Sequence, residues 1–349
     1  MAYTTINKST DYFNTKLYTG NGGTQSITGV GFQPDWTWIK PRSIADNHVA
    51  FDAVRGATKV LKVNLTNAES TVAQTLTSFN SDGFSIGSDG EVSGNNATYA
   101  SWNWKAGTSF TNDASGTGIG SIDSAGSVND TAGFSIVSWT GTGSAGTIKH
   151  GLSTVPKMII IKNRTDAINW IVYHNKIGNT GAVFLDVTNG TDSGAAYFNN
   201  TSPTNSVFSV GNYNGSNGSN DNMIAYCFAE KQGYSKMKSY VGNGNVDGNF
   251  IYLGFKPALI ILKGASGSGS NENWSMYDNK RLGYNVDNNV LAPNASAAEL
   301  TDDNIDLLSN GFKIRRATGL LNDTAVTYIY YAVAENPFVT SSGVPTTAR

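Results

Sequence analysis

One phrase occurs three times in this chain and limits what the chain can fold into. It reads Gly31-Phe-Gln-Pro34-Asp-Trp-Thr-Trp38-Ile39-Lys40, then Gly151-Leu-Ser-Thr-Val-Pro156-Lys-Met-Ile-Ile-Ile161-Lys162, then Gly254-Phe-Lys-Pro257-Ala-Leu-Ile-Ile-Leu-Lys263. A lysine follows the proline by six positions each time, and an aromatic phrase comes next: His48-Val-Ala-Phe51-Asp52, Trp170-Ile-Val-Tyr173-His174 or Trp274-Ser-Met-Tyr277-Asp278. Self-similarity of this kind marks a fold built from repeated units. Within a unit, the proline opens a strand. The Ile/Trp-rich run suits a buried strand, and the alternating phrase after a polar loop suits its hairpin partner. The three lysines read as solvated strand ends that protect a sheet edge. A repeated ligand contact is the alternative.

Further matches extend the units. Val60-Leu61-Lys-Val-Asn64-Leu-Thr-Asn-Ala68-Glu69 matches Val290-Leu291-Ala-Pro-Asn294-Ala-Ser-Ala-Ala298-Glu299 at identical spacing. Glu69 and Glu299 read as structural, capping a short helical turn, with ligand binding as the alternative. The closing strands carry large alternating residues: Trp102 and Trp104, Tyr226 and Phe228, Tyr331 and Val333. Such alternation places one face on a core. The expected fold is all-β, with tandem β-sandwich modules of jelly-roll or lectin-like type in three repeats. Short helices are expected only near 68–77 and 296–308. The expected division is a first module over 1–106, a Gly/Ser/Thr-rich linker over 107–131, a second module over 132–232, a third over 233–337 and a C-terminal arm over 338–349. The linker reads as a flexible tether or an arm lying on a neighbour. The second and third modules, joined by a few residues, should pack as a rigid pair.

Composition narrows the function classes. Charged residues make up 14% and the net charge is -2, with no basic stripe, so nucleic-acid binding through phosphate neutralisation is not expected. No run approaches a membrane span, and the first residues lack the pattern of a signal peptide. The single cysteine, Cys227, excludes an intrachain disulfide framework and reads as a core residue. Glycine, hydroxyl and amide residues supply the polar surface, a pattern that suits β-rich extracellular or virion surfaces.

No catalytic set stands out. His48, His150 and His174 lack metal-ligand spacing. The acidic run Asp302-Asp303-Asn304-Ile-Asp306 lacks the glycine turn and closing glutamate of a calcium loop. Asp89 and Glu91, the nearest approach to a glycosidase pair, read as a solvated turn. Binding is the better expectation. The loop Asn212-Tyr213-Asn214-Gly-Ser-Asn217 combines a ring that can stack on a pyranose with amides that can meet hydroxyls. Tyr213, Asn214 and Asn217 are therefore the candidate ligand-binding residues, against the plainer reading of a hydrophilic hairpin tip.

With the repeated phrases side by side, the chain resembles a family of tailed-bacteriophage virion structural proteins. Many members are tail fibre proteins, built from repeated β-rich domains of unknown function. The resemblance rests on Ala132-Gly-Phe-Ser-Ile-Val-Ser-Trp-Thr-Gly-Thr-Gly, Val155-Pro-Lys-Met-Ile-Ile-Ile-Lys-Asn-Arg, Ile224-Ala-Tyr-Cys-Phe-Ala-Glu, Ala334-Glu-Asn-Pro-Phe and the phrases around Pro34 and Pro257. It implies a virion component, on the tail or capsid surface, and does not imply a catalytic residue set; no cofactor or metal is expected. Implied partners are other virion proteins, a host-surface glycan and further copies of the chain, a trimer being common among fibres. The first repeat begins almost at residue 1, where many tail fibres carry an attachment domain. Capsid decoration through arms at 1–11, 107–131 and 338–349 therefore stays open beside the adhesin reading. A depolymerase is the third alternative.

Overall fold

The computed structural model describes residues 4–267, 271–281, 285, 289–302 and 304–337, and the fold is all-β. Each repeat forms a large antiparallel sheet with one strand order. The opening strand pairs with the closing strand, the closing strand with the proline–lysine strand, and that with the aromatic strand. In the first repeat these are Phe13–Thr19, Thr98–Trp104, Trp36–Pro41 and Val49–Asp52. In the second they are Phe134–Thr140, Asn222–Phe228, Met158–Asn163 and Ile171–His174. In the third they are Ser235–Val241, Thr327–Asn336, Lys256–Ser266 and Ser275–Asp278. The same strands pair because each apolar run alternates in the same phase.

That phase sends alternate residues to two different cores. Outward-facing residues pack under a smaller sheet of their own repeat. Ile39 and Val49 meet Phe84 and Ile86, Ile159 and Ile161 meet Phe208 and Val210, and Ile260 and Leu262 meet Phe312 and Ile314. Inward-facing residues of all three repeats meet in one central core. Trp36, Trp38, Trp102 and Trp104 come from the first repeat, Ile160, Tyr226 and Phe228 from the second, and Ile261, Tyr331 and Val333 from the third. The Trp36 ring lies 4.4 Å from both Trp104 and Tyr226, and Phe228 lies 4.9 Å from Tyr331. Each such pair adds about 0.5–1.5 kcal/mol beyond its buried area. The three repeats therefore close around a shared centre, and the second and third are not a separate pair.

Several expectations are corrected by this arrangement. The segment expected as a tether forms strands Thr108–Asn112 and Ser124–Asn129, which extend the second sheet beyond Phe134–Thr140. Its isolated apolar residues explain why, since Ile122 is buried in the second outer core and Phe110 packs against it. The N-terminal segment also lies on its own chain, with Ile6 buried in the central core. The 338–349 arm lies outside the described residues. Neither expected helix forms. Ser70–Thr71 and Leu76–Asn80 are strands, as are Leu300–Thr301 and Ile305–Leu308. Pairing with Gly83–Ile86 and Gly311–Ile314 overrides the local helical composition.

Candidate functional site

The repeats meet along three seams, and the conserved spacing of the repeated phrase places equivalent residues on each. The lysines come first. Lys40, Lys162 and Lys263 are fully buried, which overturns the solvated strand ends expected of them. Each ammonium crosses to the next repeat in one cyclic sense. Lys40 donates to the Ser296 carbonyl at 3.3 Å, Lys162 to Thr66 at 2.8 Å and Lys263 to Thr188 at 2.9 Å. Each also donates to a carbonyl of its own repeat, Pro41, Ile168 or Gly264. These strands do not stop at water; they run into a neighbour whose backbone carbonyls need donors. Burial lowers all three ammonium groups to about 8, against nearby carboxylates that raise them.

Two residues further on, the backbone repeats the cycle. Glu299 N–H donates to the Arg42 carbonyl at 2.8 Å, Glu69 to Arg164 at 2.9 Å and Thr191 to Ala265 at 2.7 Å. The indoles of Trp170 and Trp274 donate across the same seams to the carbonyls of Lys62 and Phe184. The first repeat has His48 at that place. Its Nδ1 accepts from the Trp38 indole at 3.0 Å. Burial holds its pKa well below the usual range, the Ala292 carbonyl opposing the shift without a hydrogen bond of good geometry. The chain thus carries an internal pseudo-threefold arrangement.

Two seams are locked by charge. At one, Arg164 and the buried Arg55 both hold Glu69, at 2.9 and 3.1 Å, and Arg55 also pairs with buried Asp52. At the other, Arg42 and the buried Arg281 hold Glu299, at 2.7 and 3.1 Å, and Arg281 pairs with Asp278 at 2.6 Å. Burial pushes the Asp278 carboxyl up, but Arg281 outweighs it and holds the group below the carboxylate range. Glu69 is held down in the same way by Arg164 and Arg55. Opposing carboxylates satisfy every buried arginine here, which is what such a group requires. Glu69 and Glu299 are therefore seam residues rather than helix caps.

The third seam, between the second and third repeats, has none of these side chains. Ile177 stands where the others have Arg55 and Arg281, Thr191 where they have Glu69 and Glu299, and Ala265 where they have Arg42 and Arg164. His174 replaces the aspartate, and its ring, with a pKa lowered by burial to about 4, meets the Tyr330 carbonyl at 3.2 Å. An open cleft of about 650 Å³ lies at this seam. Ile177, Phe184 and Ala265 supply an apolar floor, while Asn189, Asp192 and Asn271 supply amide and carboxylate groups. Asp192 accepts from the Tyr197 hydroxyl at 2.5 Å, and the Asn271 side-chain carbonyl accepts from Gly190 N–H at 3.0 Å. Such a surface can meet hydroxyls on one side and a C–H face on the other.

The residues singled out from sequence lie elsewhere. Asn217 is buried and structural: its carbonyl accepts from the Trp139 indole and Thr142 N–H, and its amide donates to Thr142 and Ser144. Tyr213 is half-buried edge-on to Tyr197, and exposed Asn214 donates to Asp166. None of the three lines the seam cleft. His150 is buried between backbone groups. Asp89 caps the helical turn Gly90–Ser93, and Glu91 pairs with Lys62. Asp302 and Asp306 pair with Arg316 and Arg315, and Asp303 lies outside the described residues. Aligning the three copies past their aromatic strands exposes the missing arginine at Ile177 and the missing glutamate at Thr191, so the signal for the cleft was a broken repeat. A family model described as a domain of unknown function, DUF7483, matches residues 8–337. No curated protein matches the chain.

Proposed function

The chain belongs to the DUF7483 family, and we propose that this member is a non-enzymatic structural protein of a bacteriophage particle that binds saccharide at its third seam. One observation carries the binding part of the reading. Of three equivalent seams, two are closed by a glutamate held between two arginines, and the third has lost all three side chains and holds a polar cleft in their place. A repeat that loses a lock while keeping its Lys263, Trp274 and backbone bridges keeps its fold and gains a recess. The virion part rests on the resemblance of the repeated phrases to phage structural proteins. Capsid decoration drew its support from ordering of arms on neighbouring subunits. Residues 4–11 and 107–131 lie on their own chain, which withdraws that support for two of the three arms.

The test is a glycan array probed with the full chain and with a Thr191→Glu/Ala265→Arg variant. The variant rebuilds across the third seam the pair seen as Glu69–Arg164. The native chain is expected to bind a subset of glycans, and the variant to lose that binding while keeping its melting temperature. Equal binding by both proteins would remove the cleft from the reading.

A further inference from the structure

A second cleft adjoins the first. It measures about 490 Å³, and Lys176 lines both. Its wall comes from the edge strand Ser235–Val241 of the third sheet and the strand Phe250–Tyr252 of the smaller sheet outside it. Two features set it apart from the seam cleft. Three lysines line it, Lys176, Lys236 and Lys238, and no carboxylate stands among the described residues of its lining. It also carries exposed rings: Tyr252 is 60% and Phe250 46% exposed, two of the large apolar side chains left in water among the described residues. The Lys236 ammonium lies 5.2 Å from the Tyr252 ring centroid and donates to the carbonyls of Tyr252 and Leu253. This holds the cation over one face of the ring and leaves the other face open. Lys238 is paired with Glu230 at 3.2 Å from outside the lining, so part of its charge is already met.

The strand pattern explains why these groups gather. Along Ser235–Val241 the buried Met237 faces the central core, and Lys236, Lys238 and Tyr240 alternate with it on the outward face. An edge strand with lysines on its outer face resists pairing with other chains, and that purpose alone accounts for Lys236 and Lys238. It does not account for Lys176, which arrives from the second repeat. It does not account for two exposed rings beside the lysines either. Each cleft alone falls within the ~300–1,000 Å³ of small-ligand sites, and an occupant that reaches both must pass Lys176.

We infer that the saccharide bound at the third seam is an extended, anionic glycan, running from the seam cleft past Lys176 into the lysine- and aromatic-lined cleft beside Tyr252. This rests on the saccharide reading of the seam. The amides of the seam meet hydroxyls, the Tyr252 and Phe250 rings stack on a sugar face, and the lysines meet carboxylate, sulfate or phosphate groups on the polymer.

The experiment uses the full chain on an array carrying neutral glycans beside glycans with uronic acid, sialic acid, sulfate and phosphate groups. Titration of the best binder then follows at low and high salt. The expected binders are confined to the anionic set, and their affinity falls as salt rises. Lys236→Gln/Lys238→Gln should weaken binding by about tenfold, the size of two partly exposed ion pairs, and Tyr252→Ala should weaken it further. Tyr252 is exposed and the two lysines are half-buried at the sheet edge, so the variants should keep the native fold, which their melting temperatures check. Binding of neutral glycans alone, or binding unchanged by salt and by the lysine substitutions, overturns this inference and leaves the seam reading standing. Anionic glycans bound equally by the Thr191→Glu/Ala265→Arg variant would place the site in the second cleft alone and overturn the spanning arrangement. No binding to any glycan overturns both.

Discussion

A lysine taken out of water among backbone carbonyls releases its proton more readily. Lys40, Lys162 and Lys263 are three such groups, and together they give the fold a pH signature. In the unfolded chain a lysine holds its proton to about pH 10.4. In the fold all three are lowered to about 8. Below pH 8 both states carry the proton, and the fold bears the full cost of burying three charges. Between the two values the unfolded chain binds more protons, so stability rises with pH. Cys227 opposes the trend, because burial pushes its thiol to about 12 while the unfolded thiol ionises near 8.5. Three groups against one leaves a net rise. Above about pH 10 the unfolded tyrosines ionise, whereas burial keeps Tyr226, Tyr234 and Tyr240 protonated in the fold, and the slope reverses. Urea unfolding at pH 7.5, 8.5 and 9.5 should therefore give a rising free energy, and Lys162→Met should flatten the rise by about a third of the lysine contribution. A falling profile over this range would mean that the lysines remain charged in the fold.

Strand pairing at the edge of the second sheet turns on one glycine. Gly126 sits opposite Val137, and a Cβ there would come within 2.0 Å of the Ile136 carbonyl oxygen and 3.0 Å of the Phe110 ring. The close approach lets Thr108–Asn112 and Ser124–Asn129 pair in register and extend the sheet. Gly126→Val should therefore detach this pair of strands and leave the rest of the sheet intact. Limited proteolysis would check it: cleavage within 107–131 is expected in the variant and absent in the native chain. Cleavage of the native chain there would restore the tether expected from composition. That expectation failed for a physical reason. Gly/Ser/Thr content reports backbone freedom, but the strands form because Ile122 and Phe110 reach a core whose other residues are far away in sequence. The strand phrases were legible because period-two alternation is local. The lysines were misread because burial of an ammonium depends on a neighbour's carbonyls, such as Thr66 or Ser296, and nothing near Lys162 or Lys40 in sequence announces them. The seam cleft was half legible, since Ile177 and Thr191 break the repeat in plain view, but only the cyclic contacts give that break a place. Asn217 misled because the features that suit an amide to a sugar hydroxyl also suit it to an indole and a buried turn.

At the scale of the molecule, the shared core makes the three repeats one cooperative unit. A β-sheet module that folds alone needs both its faces covered or one face polar. Here each large sheet has an apolar inner face, and the other two repeats cover it. In the second repeat that face presents Met158, Ile160, Tyr226 and Phe228. Exposing side chains of this kind forfeits about 1.5–3 kcal/mol each, so four of them remove roughly 6–12 kcal/mol, as much as the whole stability of an ordinary domain. The buried lysines add to this. Separated from the first repeat, Lys162 loses the Thr66 carbonyl, and Trp170 loses that of Lys62. Calorimetry of the full chain should therefore show a single transition, with van't Hoff and calorimetric enthalpies in agreement. The span 107–232, which keeps all the strands of the second sheet, should lack the cooperative transition of a folded domain when expressed alone. Two or three separate transitions, or a folded excised repeat, would mean that the outer cores under Phe208 and Phe312 suffice and that the central core only holds finished modules together. A single transition would also explain how the third seam can lack its arginine lock: the shared core holds the repeats in place there, leaving the sequence at 177, 191 and 265 free to serve a ligand.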